Sequence, residues 1–215
     1  MFVRERMSAP AITVRPDSPL QAALKLMQEH QFRRLPVVDE QGKLVGIVSE
    51  RDLLYASPPP ATLVSGLKLN DLLSELQIRQ IMTPDVITTT PDTFVEDAAH
   101  LMVESRIGGL PVVDDEHHVV GVITETDVFR AFIEMYRAGH SGLYLTLKVG
   151  GGKGVLAGLS RAVLGLGDDI VGVSSSYDEQ TGNHRLVIKG HDIDKDRVVD
   201  TLESLGAHVA EVYDV

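Results

Sequence analysis

The 215-residue sequence contains no cysteine, which excludes disulfides and thiol chemistry and fits an intracellular, cytoplasmic protein. No apolar run approaches a membrane span, and the start, Met1 to Pro10, carries Arg4, Glu5 and Arg6 rather than an apolar signal core, so neither a spanning segment nor a leader is expected. Positive charge is scarce: 20 basic residues stand against 31 acidic ones, for a net charge of −11. Such a surface repels phosphate backbones and anionic lipid, so no nucleic acid and no membrane is expected as a partner. An anionic ligand would need a local pocket.

Catalytic and metal-binding signatures are also missing. The eight histidines include no His-x-Glu-x-x-His or comparable ligand spacing, and His117-His118 falls in a predicted hairpin turn, where solvated residues are the ordinary expectation. There is no Gly-x-Ser-x-Gly elbow, and Asp178 and Glu179 sit in a predicted turn without an adjacent base. Gly150-Gly151-Gly152-Lys153-Gly154 fails the Walker pattern, because Leu147 occupies the first glycine position and Gly154 the Ser/Thr position. Gly152-x-Gly154-x-x-Ala157 fits the loose dinucleotide fingerprint, but a hairpin follows it rather than a parallel crossover. The expectation is no enzyme, no metal and no catalytic cofactor.

What is present is a repeat at a constant offset of 75 residues. Met7, Pro16-Asp17, Leu35-Pro36-Val37-Val38-Asp39, Val45-Gly46, Glu50 and Asp52 return as Met82, Pro91-Asp92, Leu110-Pro111-Val112-Val113-Asp114, Val120-Gly121, Glu125 and Asp127. A spacing kept without a gap requires the same backbone twice, since one insertion inside an element would turn every later side chain off its face. Two copies imply a pseudo-two-fold unit.

Each copy reads as short strand, helix, strand, strand, helix. Ser18 with Gln21, and Thr93 with Glu96, are expected to cap the first helices, with Pro19 at the first helical position of the first copy. Leu20, Ala23, Leu24 and Met27 would form one apolar face, matched by Val95, Ala98, Ala99 and Met102. The predicted strands are Leu35 to Asp39 and Leu44 to Ser49, turning at Gln41-Gly42, and Leu110 to Asp114 and Val119 to Thr124, each pair followed by a helix. Ser57-Pro58-Pro59-Pro60 should break the second helix. The expected division is repeat one at 1–56, a linker with a helical piece at 57–78, repeat two at 79–140 and a different unit at 141–215. That last unit reads βαββαβ: a strand at Leu143 to Val149, a helix from Gly154 to Leu166, a hairpin of Ile170 to Tyr177 and His184 to Lys189, a helix marked by Val198, Val199, Leu202 and Leu205 and closed by Gly206, then a strand at His208 to Tyr213. The fold class is α/β (α+β), with a ferredoxin-like sandwich as the final unit.

The repeat strongly resembles a tandem pair of CBS (cystathionine β-synthase) domains, a Bateman module, through the two Leu-Pro-Val-Val-Asp segments, Gly46-Ile47-Val48-Ser49-Glu50-Arg51-Asp52 and Gly121-Val122-Ile123-Thr124-Glu125-Thr126-Asp127. The last unit resembles an ACT domain in element order, in Gly154-Val155-Leu156-Ala157 and in Gly167-Asp168-Asp169-Ile170. The order of the two resembles acetoin-utilisation, AcuB-type proteins.

Ser49 with Asp52 and Thr124 with Asp127 place a hydroxyl and a carboxylate three apart at a helix start. Ordinary capping explains them; so does a carboxylate accepting from the two hydroxyls of a ribose, and for the hydroxyls both roles can coexist. The resemblance implies an adenosine-containing ligand between the repeats: AMP, ADP, ATP or S-adenosylmethionine. It also implies that Arg33 and Arg34, two and three positions before the Leu-Pro-Val proline, hold phosphate, for which planar guanidinium groups are suited. Gly108 and Gly109 stand at the equivalent positions of the second copy. One phosphate-competent site is therefore expected, pairing Thr124 and Asp127 with Arg33 and Arg34. The cleft around Ser49 and Asp52 would be empty or take a less charged adenosyl ligand. Arg15 and Thr90 align with adenine-lining positions, though a turn-forming role before Pro16 and Pro91 explains them equally well.

In the last unit the resemblance implies a candidate effector site at Lys153, Gly154, Val155, Asp169 and Ile170, with Lys153 where members often have proline and Asp169 where asparagine is frequent. The implied function is regulatory: an adenosyl ligand shifts the angle between the repeats, the last unit dimerises or senses a small metabolite, and a protein target receives the signal. At least a homodimer is implied. The alternative is a ligand-free scaffold assembling through both kinds of surface.

Overall fold

The computed structural model describes residues 1–56, 76–135, 143–149, 157, 158, 161, 169–178, 183–191 and 194–214. They fall into two compact units, Met1–Phe129 and Arg130–Val215. Among the described residues no helix is long and apolar enough to cross a membrane.

In the first unit both copies build the same motif. The first has α1 (Leu20–His30), β1 (Arg34–Val38), β2 (Leu44–Ser49) and α2 (Glu50–Ala56). The second has α3 (Val95–Ser105), β3 (Gly109–Val113), β4 (Val119–Thr124) and α4 (Glu125–Met135), the last continuing past the end of this unit. Each strand pair is antiparallel with a register shift at the same place, Val37/Val38 and Val112/Val113. The short leading strand is a single parallel bridge in each, Val14 to Val37 and Thr89 to Val112. The Leu-Pro-Val-Val segments are buried throughout, which their unbroken apolar run requires of a strand covered on both faces. The aspartate that ends each segment holds the turn: Asp39 Oδ1 accepts from the amides of Gln41 and Lys43, and Asp114 Oδ1 from those of Glu116 and His118.

The copies are completed by exchange. Residues 76–83 pack on the first copy: Ile78 is fully buried in its core with Leu20, Leu35, Val48 and Leu53, and the Ile47 and Thr83 backbones exchange two 2.9 Å hydrogen bonds. The chain start packs on the second: Val3 N–H donates to Thr93 at 2.8 Å, and Ser8 and Val122 exchange bonds of 2.9 and 3.1 Å. The turn residues also meet, since Leu44 N–H donates to the His117 carbonyl and Val119 N–H to that of Gly42.

Exchange also explains why the expected helix caps are not used. Pro19 and Phe94, both extended, are the N-cap residues, and neither makes a side-chain cap. Ser18 Oγ instead accepts from Arg15 N–H at 3.1 Å and Thr93 Oγ1 from Thr90 N–H at 3.3 Å, closing the preceding turns. The first helical amides find carbonyls across the exchange, Leu20 to Leu76 and Val95 to Met1, which satisfies donors a cap would otherwise serve.

The second unit holds an antiparallel sheet in the order β6-β7-β5-β8, from β5 (Leu143–Val149), β6 (Asp169–Asp178), β7 (Asn183–His191) and β8 (His208–Asp214). Helix α5 (Lys195–Ser204) is capped by Asp194, which accepts from Arg197 N–H, and ends at Gly206 with φ +82°, a left-handed position that glycine takes without a β-carbon penalty. Val198 and Leu202 are fully buried, as their spacing predicts, but Leu205 is 56% exposed because it lies past the last helical turn. The proline run, the linker's helical piece and most of the predicted helix from Gly154 to Leu166 lie outside the described residues.

Candidate functional site

The two hydroxyl–carboxylate pairs adopt one geometry. Ser49 donates to Asp52 Oδ2 from its amide at 2.8 Å and its hydroxyl at 2.6 Å, while Asp52 N–H donates back to Ser49 Oγ at 3.2 Å. In the second copy the corresponding distances are 2.9, 2.6 and 3.4 Å for Thr124 and Asp127. These are reciprocal capping boxes on α2 and α4. In both, the box is made through Oδ2. Asp127 is buried and Asp52 half-buried.

The ladders place the residues that distinguish the copies. Arg34 lies opposite Ser49, and the Arg33 carbonyl accepts from Glu50 N–H at 2.9 Å; Gly109 lies opposite Thr124, and the Gly108 carbonyl accepts from Glu125 N–H at 3.3 Å. The backbones match while the side chains differ. Arg33 is exposed, Arg34 half-buried, and neither has an ion-pair partner among the described residues. In the second copy the space beside Gly108 is taken by a carboxylate: a β-carbon on Gly108 would stand 2.8 Å from Glu125 Oε2 and 3.0 Å from its Cδ.

Arg15 reaches toward Glu40 at 3.6 Å and its amide joins the turn with Ser18; the Thr90 hydroxyl lies 2.9 Å from that of Thr93. Both side chains thus take part in local contacts at the turns that precede α1 and α3. Lys153, Gly154 and Val155 lie outside the described residues, and Asp169 and Ile170 are placed as backbone in β6, opposite His191 and Gly190. His117 is exposed, as the solvated expectation has it, and His118 departs from that expectation. Their backbones pair with Leu44 and Lys43, His117 adopts φ +70°, and the half-buried His118 ring sits 3.3 Å from Asp114 Oδ2. A cavity of about 380 Å³ beside this junction is lined by Leu44, Pro84, Asp85, Val86, Ile87 and His117, and none of the candidate residues lines it.

Sequence reasoning missed the first turns of the exchange. Phe2, Val3, Glu5 and Gln77, Ile78, Gln80 repeat at the same offset of 75, and Glu5 and Gln80 reach back to the amides of Phe2 and Gln77 at 2.6 and 2.8 Å. The buried aliphatics Val3 and Ile78 were the signal.

This duplicated strand pair with a capped helix defines the class, and the CBS-domain family matches residues 3–59 and 78–134, more than half of the chain. The chain belongs to the CBS-domain family and carries a tandem pair. Among solved structures it is similar to the CBS domain pair of protein MJ0100 in complex with 5′-methylthioadenosine and S-adenosyl-L-methionine, at 36% identity and TM-score 0.51 over 61% of this chain and 95% of that one. It is similar to CBSX2, an Arabidopsis thaliana protein, in complex with AMP, at 31% identity and TM-score 0.51 over 61% and 96%. It is also similar to a putative acetoin utilization protein, AcuB, from Vibrio cholerae, at 32% identity and TM-score 0.52 over 62% and 90%.

Proposed function

We propose that this chain is a regulatory, non-catalytic protein that binds an adenosine-containing ligand between its CBS repeats. The observation that carries the reading is the doubled hydroxyl–carboxylate box, identical in geometry in both copies, in a family whose similar structures hold AMP or S-adenosyl compounds. Each box holds its carboxylate at the helix start through Oδ2, and a vicinal diol donating to that same carboxylate would complete the ribose contact. Arg33 and Arg34 supply cationic groups for phosphate, in the pairing with Thr124 and Asp127 that the family resemblance implies. Arg15 and Thr90 border the base. Ligand binding shifts the population of repeat arrangements, and a protein target reads the shift.

The second unit is read as an ACT-like, ferredoxin-type domain that dimerises the protein or senses a small metabolite. Its support is the sheet order β6-β7-β5-β8 with α5 between β7 and β8, the order a βαββαβ sandwich demands.

Isothermal titration of the full chain with AMP, ATP and S-adenosylmethionine tests the reading, alongside Asp127→Ala and Arg34→Ala. We expect saturable binding that falls more than ten-fold in Asp127→Ala, for a charged hydrogen bond worth roughly 1.5–3 kcal/mol, with Arg34→Ala weakening only the phosphorylated ligands. Undiminished affinity in Asp127→Ala would remove the clamp. Silence across the panel would favour the scaffold reading, to which the missing arginine pair of the second copy already points.

A further inference from the structure

We infer that Glu125 makes the two adenosyl sites opposite in charge preference, so that one accepts a phosphorylated adenosine and the other an adenosine compound without phosphate. The inference rests on the adenosyl reading above and adds what each site discriminates.

The two copies share their backbone where a phosphate-reading side chain would stand. Arg33 and Gly108 each receive the first helical amide of the following helix, and Arg34 and Gly109 each oppose the hydroxyl of the box. At that position the first copy presents two guanidinium groups without ion-pair partners among the described residues. The second presents no side chain of its own, and Glu125 fills the space, its carboxylate lying against Gly108. The first copy also has a glutamate at this helix position, Glu50, yet Glu50 forms no ion pair with Arg33 or Arg34 among the described residues. The contrast lies in what stands beside the two glutamates, a guanidinium pair in the first copy and glycines in the second.

A carboxylate beside a bound phosphate repels it, and the repulsion strengthens as the ligand excludes water. Discrimination of this kind needs a repulsive element as well as an attractive one, and the chain has one of each at equivalent positions. An uncharged thioether adenosine such as 5′-methylthioadenosine escapes the repulsion, and a sulfonium such as S-adenosylmethionine brings a cation toward Glu125. Gly108 has ordinary backbone geometry, so its lack of a side chain gives room to the carboxylate and serves no conformational need.

The test uses the full chain and counts bound equivalents by titration calorimetry, first with AMP and then with 5′-methylthioadenosine added to AMP-saturated protein. One AMP per chain, followed by one 5′-methylthioadenosine, is the expected result. Glu125→Gln should raise AMP affinity at least ten-fold at the site that the same crossed pairing forms from Gly108 and Glu125 with Ser49 and Asp52, so that a second AMP competes with 5′-methylthioadenosine, and Gly108→Arg should do the same by another route. Two equal AMP sites in the unmodified chain, or an AMP stoichiometry unmoved by both variants, overturns the charge division while leaving the adenosyl reading intact. No binding of either compound overturns both.

Discussion

Met82 Sδ stands 2.7 Å from the place a β-carbon on Gly46 would occupy, and Met7 Sδ stands 2.6 Å from the corresponding place on Gly121. Four residues matched by the repeat are thus two contacts, each between a segment preceding one copy and the middle of the other copy's hairpin. The glycines are absent side chains that let a neighbouring strand approach: Thr83 O lies 3.2 Å from the Gly46 site and Ser8 O 3.0 Å from the Gly121 site.

Gly46→Ala and Gly121→Ala should therefore each destabilise the first unit by about 1–3 kcal/mol, the range for overfilling a packed site. The methionine can swing aside, but the backbone carbonyl cannot without breaking the bonds that Ser8 and Thr83 make. Shortening the partner, as in Gly46→Ala with Met82→Ala, should recover only part of the loss. Urea midpoints of the single and double variants decide it, and full recovery would show that the side chain alone sets the limit.

Exchange also makes damage appear away from its sequence neighbourhood. Ile78 is fully buried in the core of the first copy although it begins the second. Ile78→Ala should cost about 2–5 kcal/mol and speed amide hydrogen exchange in α1 and β1. Val3→Ala should instead loosen α3 and β3, because it truncates a fully buried side chain in the segment whose backbone is bonded to Thr93 and Pro91. Faster exchange confined to the copy nearest in sequence would contradict the exchanged packing.

Much of the CBS pair was legible because a period of 75 residues and strand alternation both report local backbone. Leu35 to Asp39 read as a strand ending in a turn, and Asp39 fulfils that turn. The exchange was not legible: two segments of similar pattern, with Val3 and Met7 matched by Ile78 and Met82, fit either copy by pattern alone, and only three-dimensional closure decides between them. Ser18 and Thr93 misled for the same reason, since carbonyls from Leu76 and Met1 reach the helix starts that a cap would have served. Gln31 and Arg106 end α1 and α3 in left-handed geometry, with φ 56° and 54°, and no glycine or asparagine marked them. The boxes at Ser49 and Thr124 were legible as residues, whereas the carboxylate against Gly108 was not, since sequence gives a glycine's absence of side chain and not what fills it.

The junction of the two turns should respond to acid. The backbone hydrogen bond from His118, with a further one from Glu116, holds the Asp114 carboxyl below the usual aspartate value. A depressed carboxylate contributes stability that is present above the unfolded-state value, about 3.9, and lost as pH falls through the lower folded value. Asp114→Asn removes the titration, so the difference in urea midpoint between the two proteins should shrink below about pH 4. A difference that stays level down to about pH 2.5 would show that Asp114 acts as a neutral acceptor only.

The boxes offer a way to separate capping from ligand contact. Thr124→Val deletes the hydroxyl that donates to Asp127 Oδ2 and accepts from Asp127 N–H, leaving a buried carboxylate short of a partner; the cost should be about 1–3 kcal/mol. Ser49→Ala makes the same cut beside the half-buried Asp52, where water can replace the lost donor, so about 0.5–2 kcal/mol is expected. If the carboxylate and not the hydroxyl contacts the ribose, both hydroxyl variants keep a substantial part of the ligand-induced rise in Tm, while Asp52→Ala and Asp127→Ala lose it at their own sites. Thermal melts with and without AMP or 5′-methylthioadenosine measure both quantities on the same proteins. Equal loss of ligand stabilisation in the hydroxyl and carboxylate variants would mean that hydroxyl and carboxylate bind the ligand as a unit.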